Sequence, residues 1–245
     1  MVISHKYRYI FIQLEKTASG AIAQELREHY DGVDVLWKHA RYEDFLAVAN
    51  DNEKKYFAFA GMRNPLDIVV SRYHLRGLGK GGQLKQHLFL KENNYDFDKF
   101  FLRFFGRGIY DDQRTRKYHL LDFIYRYENL QEDFSFILNR LGISQVRPLP
   151  VRNQTPNKTN FVAYYKSPKI QRRAQIVFGS YFKRWRYFFP GHWGRITFFD
   201  KLMLVCVFSL MELLAKIFRI FFNHPVVYRW RITRLGMNVL PIRKK

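Results

Sequence analysis

Two segments of this chain repeat one order: an apolar run, a short polar loop, then apolar residues at helical spacing. In the first, residues 7–14 (YRYIFIQL) are β-branched and aromatic and read as a strand, EKTASG is the loop, and AIAQELREHY carries the helix period. In the second, residues 56–62 (YFAFAGM) suit one buried strand, RNP breaks it, and residues 66–74 return to helical spacing. A third round follows, with a strand over 122–127 (DFIYRY) and a helix over 130–141 that Gly142 stops. Strands alternating with helices predict an α/β fold, a parallel sheet with helices on both faces.

The remaining segments fill in this frame. Residues 33–37 suit a short strand, and 41–49, 96–105 and 169–182 suit helices. The glycines of GLGKGG, residues 77–82, predict a mobile loop, and VRNQTPNKTN, from residue 151, reads as loop. Hydrophobic residues are 47% of 245, enough for a full core. The single cysteine, Cys206, excludes an internal disulfide and favours a reducing compartment. No signal peptide is expected at the N-terminus.

Charge narrows the partner. Forty-two Lys and Arg against twenty-one Asp and Glu leave +21, which implies an anionic partner: nucleic acid, anionic lipid or an anionic substrate. No zinc-finger, RNP or KH signature accompanies the charge, so nucleic acid is the weaker of these, though a basic nucleic-acid-binding protein stays open. No CxxC, HExxH or Asp-rich loop suggests a metal.

The loop after the first strand is a candidate anion site. A helix N-terminus there presents free N–H groups and the positive end of its dipole. Lys16, Thr17, Ala18, Ser19, Gly20 and Ala21 add a cation, two hydroxyls and little bulk. A Walker A loop has its Lys after the glycines, whereas Lys16 precedes Gly20, which disfavours an ordinary P-loop kinase or GTPase. The loop after the 56–62 strand is a second candidate. Arg63 stands at the strand end, Pro65 suits a helix start, and Ser71 lies about two helical turns on. A guanidinium and a hydroxyl so placed could grip one phosphate.

These segments together resemble the PAPS-dependent carbohydrate sulfotransferases, the family 2 type, where PAPS is 3′-phosphoadenosine 5′-phosphosulfate. LEKTASG is similar to the family's PKTGGT-like loop and MRNPLDIVVSRY to its VRNPxxRxxSxY-like segment. DFIYRYENLQEDFSFILNRLGI is similar to its DFIGRYENL strand and helix, and WKHARYEDF to a KHATARE-like segment. The match runs in family order over residues 7–190. Glu15, Ala18 and Ala21 depart from the usual loop, and the pair Leu66 and Asp67 departs from the second motif.

The resemblance implies a P-loop-like fold over 1–190 and sulfuryl transfer from PAPS to a hydroxyl of a carbohydrate or glycolipid. A nucleotide kinase-like P-loop protein is the alternative enzyme. It implies that the loop from Lys16 to Ala21 binds the 5′-phosphosulfate and that Lys16 offsets charge on the leaving oxygen. Arg63 and Ser71 would hold the 3′-phosphate, and Lys158 would close over the nucleotide. His39 is the first candidate for the base and Glu43, four residues on, the alternative or its orienting partner; His74 and His119 follow. The transfer needs no metal.

Residues 191–245 lie outside the resemblance. Residues 202–214 (LMLVCVFSLMELL) are apolar apart from Ser209 and Glu212, and Lys216 and Arg219 follow. The apolar stretch is shorter than the roughly 20 residues a span needs. It reads as a helical, basic and apolar extension on an anionic membrane surface, with the enzyme peripheral on the cytoplasmic face. A soluble cytoplasmic protein, with this segment as a core helix, is the alternative.

Overall fold

The structure is a computed structural model, and it describes residues 1–80, 82–106, 110, 115, 117–151, 158–199 and 202. Met1–Gly194 form one compact unit; of Arg195–Lys245 only Arg195–Phe199 and Leu202 are described. The apolar stretch expected to meet a membrane therefore lies outside the described residues, apart from Leu202. Among the described residues no helix is long and apolar enough to cross a membrane.

The fold is α/β, built on one five-stranded sheet. The strands are β1 (Val2–Ser4), β2 (Tyr9–Ile12), β3 (Val33–Asp34), β4 (Phe57–Met62) and β5 (Phe123–Arg126). Their order is β3-β1-β2-β4-β5. The helices are α1 (Ser19–His29), α2 (Tyr42–Leu46), α3 (Pro65–Gly77), α4 (Leu84–Glu92), α5 (Phe97–Phe104), α6 (Leu130–Arg140) and α7 (Pro168–Trp185).

The sheet is mixed, which corrects the expectation of a parallel one. β2, β4 and β5 are parallel, with Ile12 opposite Ala60 and Met62 opposite Arg126. β1 runs antiparallel to both β2 and β3. The cause is the link between β1 and β2. Only four residues, His5 to Arg8, separate them, with Arg8 at φ 55°. A turn that short can only reverse the chain, since a parallel neighbour needs a crossover of a dozen residues or more.

Strand alternation divides the core into two faces. Tyr9 and Phe11 of β2, Phe59 of β4 and Tyr125 of β5 face Ile22 and Leu26 of α1 and Phe134 and Ile137 of α6. Ile10, Ile12, Ala58, Ala60 and Met62 face the other way, against α3, α5 and α7. The small Ala58 and Ala60 leave room on that face for Phe100, Phe101 and Phe178, each fully buried. Burying each such ring contributes about 2–3 kcal/mol.

Two further differences from the sequence reading concern loops. α4 follows directly on the glycine segment, which itself ends α3 at Gly77. The pattern of α4 is weakly amphipathic, and only Leu90 of it is buried. The helix after β3 is also shorter than expected, Tyr42–Leu46.

Candidate functional site

The carboxyl ends of three parallel strands feed the site. In an open α/β sheet ligands collect there, beyond the strand ends. β2 leads into residues 13–18 and α1, β4 into Arg63, Asn64 and α3, and β5 into Tyr127 and Glu128.

The first loop has a distinctive backbone. Lys16 (φ 67°) and Ala18 (φ 60°) both take left-handed conformations, and Thr17 between them does not. Alternation of this kind turns successive N–H groups toward one concave side, an arrangement that binds anions. The N–H groups of Ser19 and Gly20 open α1, where no preceding helical turn supplies them with acceptors. The Ala18 carbonyl starts the helix, accepting from Ala21 N at 2.9 Å and Ile22 N at 3.2 Å. Left-handed conformations cost non-glycine residues about 1–2 kcal/mol each, so the surroundings must hold this loop.

They do so through side chains. The hydroxyls of Thr17 and Ser19 both donate to the Leu14 carbonyl, at 2.8 and 2.6 Å. Tyr125 donates its hydroxyl to the Thr17 carbonyl at 3.0 Å. Gln13 Nε2 reaches the Ser19 carbonyl at 3.3 Å. Thr17 and Ser19 therefore shape the loop, and what it offers an anion is backbone N–H and the Lys16 ammonium. Gly61 makes the Tyr125 contact possible: a Cβ there would stand 2.2 Å from the Tyr125 ring.

The second loop locks onto the first. Arg63 Nη1 donates to the Lys16 carbonyl at 2.8 Å. Its Nε and Nη2 donate to one oxygen of Asp67 at 2.8 and 2.6 Å. The guanidinium also lies 3.7 Å from the centroid of the Tyr127 ring. Asn64 caps α3 through Leu66 N at 3.0 Å, and its own N–H donates to Glu128 at 2.7 Å. Lys158 brings its ammonium to the other oxygen of Asp67.

Arg63 and Ser71 were expected to grip one phosphate between them. Both are buried, and Ser71 lies one turn beyond Asp67 on the same stretch of α3. Yet the guanidinium already faces a carboxylate, so an incoming phosphate must share or replace Asp67. Asp67 is the residue that sequence reasoning missed. Its position four after Arg63, the spacing of a helical ion pair, was the available signal.

Lys16 stands in a positive field. Burial holds its ammonium below the usual 10.5, and the charges of Arg72, Arg76 and Arg63 push in the same direction; Glu15 opposes them. Glu15 in turn pairs with Arg72 at 3.3 Å. Lys158 is also lowered, by burial first and by Arg63, against the pull of Asp67. Several cations crowd together here with too few carboxylates, which is what an anion site requires.

The candidate bases are distributed unevenly. His39 Nδ1 lies 3.1 Å from the carbonyl of Gln13, directly beyond β2. A carbonyl only accepts, so Nδ1 carries the proton and Nε2 keeps a lone pair. His39 sits in a turn closed by Ala40 N to Trp37 O, ahead of α2, so it does not share a helical face with Glu43. Glu43 Oε2 is buried with no hydrogen-bond partner among the described residues, so that oxygen makes no hydrogen bond to His39. His74 Nε2 meets the Tyr164 hydroxyl at 2.6 Å, and burial, then Lys158, lowers its pKa from 6.5. His119 is exposed before β5, at the amino end of the strands, away from the site.

One other cluster gathers metal-type ligands, Glu25, Glu28 and His29, within 4.8 Å of one another. Arg147 already pairs with both carboxylates, at 2.9 and 3.4 Å, and supplies the positive charge there. No family model matches the chain, and no curated protein or solved structure shows significant similarity to it.

Proposed function

We propose that this chain is a sulfotransferase with a P-loop-like donor site, moving a sulfuryl group from PAPS to a hydroxyl of a carbohydrate or glycolipid. One observation carries the reading. The loop before α1 takes left-handed φ at Lys16 and Ala18 and leads straight into the helix N-terminus, and Arg63 of the second anion segment is tied to that loop through the Lys16 carbonyl. A donor with phosphates at both ends of its ribose fits two linked anion loops. The Lys-before-Gly order still argues against an ordinary nucleotide kinase.

In this reading the loop N–H groups hold the 5′-phosphosulfate, and Arg63, Ser71 and Lys158 hold the 3′-phosphate. The acceptor oxygen forms a bond to sulfur as the bond from sulfur to the bridging oxygen breaks. The electron pair of that bond leaves on the 5′-phosphate of 3′,5′-ADP, where Lys16 stabilises it. The acceptor proton passes to Nε2 of His39, with Glu43 as the alternative base. Positioning does most of the work, and no metal enters the transfer. The basic, apolar sequence after residue 190 supports a peripheral place on an anionic membrane, on its cytoplasmic face, and a lipid-linked acceptor.

The test is ligand-induced stabilisation of the full chain. At one hundred times its Kd, 3′,5′-ADP stabilises the folded state by about 2.7 kcal/mol. It should raise the melting temperature more than AMP, ATP or an oligonucleotide does. Equal shifts with AMP and 3′,5′-ADP sink the assignment. A larger shift with ATP favours a kinase, and with an oligonucleotide a nucleic-acid binder. Turnover with labelled PAPS across saccharide and glycolipid acceptors then identifies the acceptor.

A further inference from the structure

A second basic cleft opens beside the candidate site. It is lined by Met62, Ile124, Arg126, Arg184, Trp185 and Arg186 and encloses about 190 Å³. Met62 precedes Arg63 at the end of β4, and Arg126 precedes Tyr127 at the end of β5, so the cleft adjoins the loops that hold Arg63. Small-molecule sites usually span roughly 300–1,000 Å³. The cleft is thus too small for a nucleotide and of a size for one sugar ring or the end of a longer ligand.

Its chemistry is that of an anion site with an aromatic wall. Three of six lining residues are arginines, and no acidic residue is among them. Arg126 is held in place, with Nη2 donating to the Trp185 carbonyl at 2.8 Å and its guanidinium 4.6 Å from the Tyr187 ring centroid. Trp185 brings an indole whose Nε1 is buried and has no hydrogen-bond partner among the described residues. A buried donor left unpaired is uncommon and asks for an explanation.

Arg186 adds an independent observation. It ends α7 in the left-handed conformation, φ 54° and ψ 43°, with its N–H donating to the Phe182 carbonyl. Helices ending this way usually place glycine at that position, because a Cβ is strained there. An arginine instead of glycine adds a cationic residue to the cleft lining against local backbone preference. Strain of this kind collects at binding sites.

We infer that the cleft between the ends of β4, β5 and α7 binds an anionic sugar, with Arg126, Arg184 and Arg186 around its carboxylate or sulfate and Trp185 beside its ring. This rests on the sulfotransferase reading in one respect: the bound sugar is part of the acceptor, held next to the donor loops. An already sulfated or uronate-bearing saccharide is then the substrate class, and the neutral parent a poor one.

Binding to the full chain, saturated with 3′,5′-ADP, tests this by ligand-observed NMR with three probes: methyl glucuronide, glucose 6-sulfate and neutral methyl glucoside. Either anionic probe should bind about tenfold more tightly than the neutral one, the scale expected of charge-assisted hydrogen bonds. Preference for glucuronide or sulfate tells which anion the acceptor carries. Arg186→Gly should relieve the strained φ and leave the melting temperature equal or higher, yet lose most of the anionic preference. Its affinity for 3′,5′-ADP should stay within about twofold. If Arg186→Gly unfolds, the pair Arg184→Gln and Arg186→Gln carries the same test. Equal binding of anionic and neutral probes overturns the proposal, as does an unchanged preference in the variants. If the anionic probes bind through Arg186 while 3′,5′-ADP does not bind at all, the cleft stands and the donor reading falls.

Discussion

Asp67 holds Arg63 by one carboxylate oxygen, which accepts from Nε at 2.8 Å and Nη2 at 2.6 Å. Its other oxygen receives Lys158. All three side chains are largely buried, at 6%, 14% and 17% exposure for Arg63, Asp67 and Lys158. The carboxylate therefore stands where two cations converge, in the place an external phosphate would seek. Two opposite effects follow for Asp67→Asn. Losing the charge leaves Arg63 and Lys158 uncompensated, and the ligand-free protein should lose on the order of 3 kcal/mol, at the lower end for a broken buried pair. The same loss removes an anion that competes with phosphate, so 3′,5′-ADP should bind more tightly, by roughly tenfold for about 1.4 kcal/mol of relieved repulsion. Chemical denaturation and calorimetric titration read the two separately. If affinity falls together with stability, Asp67 orients Arg63 for the ligand and does not compete with it.

Lys16 should show itself in proton uptake. Burial and three arginines hold its proton more loosely in the folded chain than in the unfolded one. Between its lowered value and 10.5 the unfolded state binds more protons, so this group makes stability rise with pH across that window. Lys16→Met should remove that part of the slope, read as the difference between parent and variant melting curves from neutral to alkaline pH. An anion bound at the loop favours the ammonium, so 3′,5′-ADP binding on the alkaline side should take up a proton in the parent and less in the variant. Titrations in buffers of different ionisation enthalpy measure this. In turnover, Lys16→Ala should lower kcat far more than it raises KM, because charge on the leaving oxygen grows only in the transition state. A change confined to KM makes Lys16 a binding residue only.

The order of strands and helices from residue 7 to 182 was legible wherever an apolar run has a clear period; α4, with only Leu90 buried, has none and was missed. What the period did not carry was direction and pairing. β1 has three residues and β3 two, too short to show alternation, and the antiparallel edge depends on the turn after Ser4. The loops that follow β2 and β4 were legible from residue type and position. Their internal wiring was not, since the Thr17 and Ser19 hydroxyls choose between an external phosphate and the Leu14 carbonyl only in three dimensions. Likewise Tyr125 and Gly61 lie opposite each other across β4 and β5, a register that no local pattern specifies.

That Gly61 to Tyr125 contact predicts a remote effect on the donor loop. A methyl group at residue 61 would stand 2.2 Å from the ring and force Tyr125 aside. Gly61→Ala should destabilise the fold by about 1–3 kcal/mol through overpacking. It should also release the Thr17 carbonyl from the Tyr125 hydroxyl and weaken 3′,5′-ADP binding, though neither residue contacts the ligand in the reading above. Tyr125→Phe removes only the hydroxyl and keeps the ring. It should weaken binding less, with stability falling by about 1 kcal/mol. Unchanged ligand affinity in Gly61→Ala would separate the sheet contact from the loop.

His39 is oriented for one role. With Nδ1–H given to the Gln13 carbonyl, only Nε2 can accept a proton. His39→Ala should lower kcat by about 10²–10⁴-fold, the range for a lost general base, and leave 3′,5′-ADP affinity intact. Full activity in His39→Ala together with inactivity in Glu43→Gln would move the role to Glu43.

The boundary of the folded unit can be placed from packing. Trp193 is 5% exposed and lies against Tyr165 and Phe189, with ring centroids 5.5 and 5.9 Å apart. Gln175 of α7 donates to the Gly194 carbonyl at 2.9 Å. Cutting the chain at residue 190 would remove that indole and leave part of the core facing water, a loss of about 3–5 kcal/mol for a large aromatic side chain. Ending it after Gly194 keeps every one of these contacts. The chain 1–194 should therefore fold cooperatively, dissolve without detergent and bind 3′,5′-ADP like the full chain, while 1–190 should melt at a clearly lower temperature. The full chain carries residues 195–245, with their basic and apolar sequence, and should sediment with anionic vesicles and release partly at high salt, as electrostatic attachment requires. Vesicle binding by 1–194 equal to that of the full chain would place the membrane contact within the first unit. A full chain that stays in the supernatant with anionic vesicles, together with a 1–194 fragment that does not fold, would make residues 195–245 part of the core and end the membrane proposal.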